Sequence, residues 1–170
     1  MVKIIGCLLM LAGCYMLGQF KASSYAARCK ELENIIETAK LLEMNISYTK
    51  DPLAKAFIKA TANKTSWYAD VLKLCSENMS NRLSLNESWE KAVENSSKHC
   101  PLTKDDISIL DNLIQGLGKS DSESQMKILE PTMIRLQINL NKAYTDNQKQ
   151  GKMYKAIGTS AGIILVILLI

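Results

Sequence analysis

The residues able to do chemistry are few, and their spacing fits no catalytic template. His99, the one histidine, precedes Cys100 in a Ser/Lys/Cys/Pro loop. A general base needs a positioned partner within hydrogen-bond reach, and neighbours in sequence do not make a dyad. Glu31, Glu33, Glu37 and Glu43 form a carboxylate row, yet di-metal helical bundles use E-x-x-H pairs that project inward, and His99 belongs to no such pair. Gly116-x-Gly118-Lys119-Ser120 lacks the G-x-x-x-x-G-K-S/T spacing that cradles phosphate and reads as a turn. The five cysteines, at 7, 14, 29, 75 and 100, are odd in number and hold no C-x-x-C pair, which argues against a disulfide framework or a zinc site. No catalytic, metal-ligating or cofactor-binding residue is assigned.

The elements that must position any site are set by where the charge lies. A chain of 170 residues has room for one modest domain plus its ends. Residues 4–20 and 156–170 contain no Asp, Glu, Lys or Arg, so all the charge except Lys3 falls between them. A net charge of +4 over the whole chain is too weak a basic bias to argue for nucleic acid. The two apolar runs, 17 and 15 residues long, sit near the lower limit for membrane-spanning helices, and the sequence predicts one at each end. Gly6, Gly13 and Gly18, with Gly158 and Gly162, are the candidates for close helix packing within them, the last two forming a G-x-x-x-G. Lys21, Arg28 and Lys30 follow the first run, and Lys142, Lys149, Lys152 and Lys155 precede the second. By the positive-inside rule the middle faces the cytoplasm. The expected division is 1–20, first span; 21–153, cytoplasmic helical domain; 154–170, second span. A competing reading takes Leu11-Ala12-Gly13-Cys14 as a lipoprotein cleavage box with Cys14 lipidated, although hydrophobicity continues past the cysteine through Tyr15, Met16 and Leu17.

Apolar spacing in the middle is helical throughout. Leu32, Ile35, Ile36, Ala39, Leu42 and Ile46 mark one face of a long helix. Asp51-Pro52 predicts a start with Asp51 as N-cap, ahead of Leu53, Ala56, Phe57 and Ala60. Thr65 or Ser66 opens a helix bearing Trp67, Val71, Leu72 and Cys75. Ser84-x-x-Glu87 and Thr103-x-x-Asp106 read as capping boxes, the first ahead of Trp89 and the second ahead of Leu110, Leu113, Ile114 and Leu117. A stop is expected at 116–121, and Pro131 should kink the last helix or shift its start. No period-two alternation occurs, so the fold class is all-α, a compact bundle of about six helices flanked by the two spans.

The order of these features resembles the stage III sporulation protein AB family. It rests on Lys3-x-x-Gly6; Arg28 with Glu31-Leu32; Glu43-x-x-Ile46-x-Tyr48 and Asp51-Pro52-Leu53 with Ala56; Trp89-x-x-Ala92-Val93; Leu117-Gly118-x-Ser120-Asp121 with Gln125; Ala143; and Tyr154-x-x-x-Gly158. Lys50-Asp51 and Pro131 depart from the family pattern. The resemblance implies a helical bundle similar to the cytoplasmic domain of the type II secretion and type IV pilus platform protein, in an assembly linking mother cell and forespore. Its implied partners are a cytoplasmic secretion-type ATPase, other channel membrane proteins and membrane lipid, with self-association left open; its implied place is the mother-cell membrane around the forespore. It implies no enzymatic activity and no cofactor. The candidate partner-interface residues are Arg28, Glu31, Glu37, Glu43, Gly118, Ser120 and Asp121. For these the alternative is a solvated helix face and a plain helix connection. The competing function is an extracytoplasmic envelope lipoprotein or scaffold.

Overall fold

The computed structural model describes residues 2–49, 51–119 and 122–169, with side chains described throughout except at 2–5, 7, 8, 49, 118, 119, 122–126, 168 and 169. Its helices are α1 (Val2–Met44), α2 (Leu53–Thr61), α3 (Trp67–Ser80), α4 (Leu85–Ser96), α5 (Lys104–Lys119), α6 (Ser122–Asp146) and α7 (Lys152–Leu169). A π-helical turn, Asn45–Thr49, follows α1, another, Asn147–Gly151, follows α6, and a 3-10 turn, Ser97–His99, follows α4. Among the described residues there is no strand. The fold class is all-α.

The chain divides into two packed units. One joins Met1–Cys29 to Asn141–Ile170, and the other is Lys30–Leu140. This division falls inside α1, which runs on beyond the first apolar end, and inside α6, which ends at Asp146 before the second apolar end begins in α7.

In the Lys30–Leu140 unit the helical periodicity translates directly into burial. Leu32, Ile35, Ile36, Ala39, Leu42 and Ile46 are all buried, as are Ala56, Phe57, Ala60, Val71, Leu72 and Cys75. Leu110, Leu113, Ile114 and Leu117 of α5 and Leu129, Leu136 and Leu140 of α6 are buried too. Each fully covered Leu, Ile or Phe contributes about 1.5–3 kcal/mol relative to exposure, so these stripes hold the bundle together. α2 packs on α3, α3 on α4 and α4 on α5. Trp67 and Trp89 are buried, each with its indole N–H satisfied: Trp67 donates to the Ser96 carbonyl (2.9 Å) and Trp89 to Asp111 Oδ1 (2.7 Å).

The caps decide where helices begin. Ser66 accepts from the Ala69 N–H, and Ser84 and Glu87 close the full reciprocal box. Thr103 and Asp106 do the same at α5, where buried Asp106 also accepts from Asn139 Nδ2 at 2.8 Å. α2 starts one residue later than expected. Pro52 holds the N-cap position, and Asp51 instead pairs with Lys55 and Lys59.

The turn after α5 holds, and the expectation of the two spans needs correcting. The stop expected at 116–121 is present, since α5 ends at Lys119 and α6 begins at Ser122; a Cβ at Gly116 would lie 2.9 Å from the Ile128 side chain, so this glycine, still inside α5, lets α5 and α6 approach closely. Pro131 lies inside α6, which continues through it. The two predicted spans are not found: among the described residues no helix is long and apolar enough to cross a membrane. At ~1.5 Å per residue the charge-free part of α7, after Lys155, rises about 21 Å, and the run at 4–20 about 25 Å, against about 30 Å of hydrocarbon.

Candidate functional site

The carboxylates singled out on α1 separate into different roles. Glu31 is buried, and its Oε1 accepts the Tyr68 N–H at 2.7 Å, which satisfies a donor in the first turn of α3. It therefore leaves the expected solvated docking face and serves as an internal cap. Glu37 stays exposed and reaches Lys64 Nζ at 2.8 Å. It lines a cleft of about 570 Å³ with Lys30, Asn34, Lys59, Asn63 and Lys64. Glu43 is half-buried. Arg28 lies in the other unit with its side chain only 12 % exposed and its guanidinium 3.7 Å from Asp146. Gly118 lies within α5, while Ser120 and Asp121 lie outside the described residues.

The groups considered for chemistry are not brought together as a nucleophile and base. His99 is exposed and lines an open cleft of about 530 Å³ with Ser66, Trp67, Asp70 and Asn95. Cys100 is half-buried, and burial is the main cause that pushes its thiol up, with the Glu31 and Asp106 carboxylates adding to it against a lowering contact from the Leu102 backbone. Burial pushes the Cys75 thiol up to about 12. Thiolate chemistry needs the opposite shift. Among the described residues no group of three or more His, Cys, Asp or Glu could hold a metal ion.

The unit formed by Met1–Cys29 and Asn141–Ile170 is built on one close approach. A Cβ on Gly18 would lie 2.8 Å from the Tyr154 carbonyl oxygen and 3.0 Å from Gly158 Cα. One on Gly158 would lie 2.9 Å from the Cys14 carbonyl oxygen, and one on Gly162 would meet Cys14 Cβ at 3.4 Å. Gly158 and Gly162 thus sit in the helix seam. Gly6 and Gly13 do not, since among the described residues nothing lies within 4 Å of a Cβ added at either. Of the three N-terminal glycines expected to pack, Gly18 is the one in the seam. The readable signal was the pairing of two small-x-x-x-small segments, Cys14 with Gly18 and Gly158 with Gly162, on facing helices. The Tyr25 and Tyr154 rings stack beside this seam at 6.0 Å. Outside it, large apolar side chains face outward, among them Leu17 (73 % exposed), Phe20 (80 %) and Ile167 (71 %).

A polar helical bundle with a covered core, joined in one chain to a helix pair that exposes its apolar side chains, defines a class of all-helical proteins built on packing and capping. The sequence model of the stage III sporulation protein AB family matches residues 3–170. The chain belongs to that family, which ties it to sporulation. It is 24 % identical over 176 residues to Stage III sporulation protein AB of Bacillus subtilis (strain 168), covering 99 % of both chains. Among solved structures, one of Stage III sporulation protein AB matches with a TM-score of 0.65 at 19 % identity, over 71 % of this chain and 96 % of that one. That likeness supports the fold.

Proposed function

We propose that this chain is a membrane-anchored adaptor of the sporulation machinery, which performs no catalytic step itself and couples a cytoplasmic secretion-type ATPase to channel proteins between mother cell and forespore. The observation that carries the reading is the division of labour between the two units. Lys30–Leu140 buries its Leu and Ile stripes and presents a charged exterior, whereas Met1–Cys29 with Asn141–Ile170 turns Leu17, Phe20 and Ile167 outward. An apolar exterior of this kind marks a lipid or protein contact. The Glu37 to Lys64 cleft, a concave surface of mixed charge, is the proposed docking place for the ATPase. Coupling of this sort needs two attachment surfaces and no reactive centre.

The lipoprotein alternative requires cleavage before Cys14, within α1, and would remove Leu11 from its place beside Gly162. That packing favours an intact α1. The test is a single cysteine at Ser97 in a background without the native cysteines, probed in intact sporulating cells with an impermeant maleimide, together with recovery of the ATPase on the tagged full chain. Protection at Ser97 and co-recovery that weakens in a Glu37→Lys, Lys64→Glu chain are expected. Labelling at Ser97 would overturn the cytoplasmic reading.

A further inference from the structure

The two helices that meet at Gly18 and Gly158 fix the height of the side chains around them. Tyr154 lies against Gly18 through its carbonyl and stacks on Tyr25 through its ring, so Lys21 on α1 stands level with Lys152 and Lys155 on α7. Lys149, in the turn before α7, lies about one helical turn further along. All four are exposed. Asp146 is the one acidic side chain in this unit's sequence, and it is engaged by Arg28 at 3.7 Å. None of the four lysines has a salt-bridge partner among the described residues. Directly next to this collar, on one side, begins the outward apolar surface of Leu17, Phe20, Ile157 and Ile163. The described apolar length, from Leu9 to Phe20, rises about 18 Å, more than half of a hydrocarbon layer of about 30 Å.

We infer that Lys21, Lys149, Lys152 and Lys155 form a phosphate-binding collar that seats the helix pair on an anionic phospholipid surface. Charge complementarity selects this occupant. An ammonium ring at the edge of an apolar surface meets headgroup phosphates while the side chains beyond it enter the acyl region, and Lys stems span the interface with their charge in water. The Tyr25 and Tyr154 pair sits at the same height, where amphipathic rings are favoured at a membrane interface. An acidic protein partner would explain the lysines and leave the adjoining apolar surface uncovered.

This inference rests on the membrane anchoring proposed above and adds the lipid class. The experiment is flotation of the full chain, diluted from mild detergent, with vesicles of phosphatidylcholine alone or with a third phosphatidylglycerol. Lys149→Gln, Lys152→Gln, Lys155→Gln is compared with a control of equal charge change, Lys91→Gln, Lys98→Gln, Lys104→Gln. Strong preference for the anionic vesicles, weakened by salt and lowered roughly 100-fold by the collar variant alone, is expected. Equal binding to both vesicles, or equal loss in both variants, would overturn the collar and leave membrane anchoring intact. Binding to neither would overturn both.

Discussion

The Glu31 carboxylate accepts the backbone N–H of Tyr68 at 2.7 Å, joining two residues 37 positions apart inside the Lys30–Leu140 unit. Ser66 serves the neighbouring Ala69 N–H, so the first turn of α3 has two acceptors, one local and one from α1. A negative group is favoured there because unpaired N–H groups and the helix dipole both point at it.

Loss of that acceptor strands a buried N–H, which costs about 1–3 kcal/mol. Glu31→Ala should therefore lower the urea midpoint of the full chain clearly, and Glu31→Gln, which keeps a carbonyl oxygen, should lower it less. Glu37→Ala removes an exposed pair with Lys64 and should change stability by under about 1 kcal/mol. Equal losses for all three would remove the capping role.

The seam at Gly158 gives a sharper test, because the atoms that a Cβ would strike are backbone: the Cys14 carbonyl at 2.9 Å and Gly18 Cα at 3.0 Å. Backbone cannot turn aside as a side chain can. Gly158→Ala should destabilise the helix pair by about 1–3 kcal/mol, read as a lower Tm. Gly6→Ala and Gly13→Ala, with open space around them, should leave Tm unchanged or slightly raised.

Arg82 is the described non-glycine residue with positive φ, at 66°, in the turn after α3 where its N–H donates to the Met79 carbonyl and that of Leu83 to the Asn78 carbonyl. Helices commonly end on such a residue, usually glycine, because a Cβ is strained there. Arg82→Gly should stabilise the chain by about 0.5–1 kcal/mol after the extra unfolded-state entropy of glycine is counted, and Arg82→Val should destabilise it. Thermal unfolding of the two variants settles the order.

Glu87 supplies a pH signature. The Ser84 side-chain hydrogen bond, then the Ser84 backbone N–H, hold its carboxyl below the usual carboxylate range, against a small opposing desolvation effect and with help from nearby Lys91. A carboxyl depressed in the folded state contributes stability that is present above its unfolded value and lost as pH falls through the folded one. Ser84→Ala should return the Glu87 titration, followed by side-chain NMR, upward towards its ordinary position. It should also flatten the fall in stability between about pH 6 and pH 3.

Local chemistry made much of the fold legible from the residues. The Leu32 to Ile46 stripe, the Ser84 and Glu87 box and the Thr103 and Asp106 box depend on spacings of three and four within one helix, and they appear where the periodicity puts them. The ends of elements were less legible where neighbours intervene. The stop expected at 116–121 falls at Lys119, with Gly116 still inside α5 against Ile128, and Pro52 rather than Asp51 holds the α2 cap position.

The candidate site divides in the same way. Sequence by itself determined the all-helical class, the family pattern, the apolar ends and the lysines beside them, because these follow from composition and short-range order. Only the tertiary structure decided that Glu31 is an internal cap while Glu37 faces a cleft, and that Gly18, rather than Gly13, meets Gly158. The periodicity of one helix says which residues share a face; which residue of another helix lies opposite depends on register between segments distant in the chain, and that is fixed by packing.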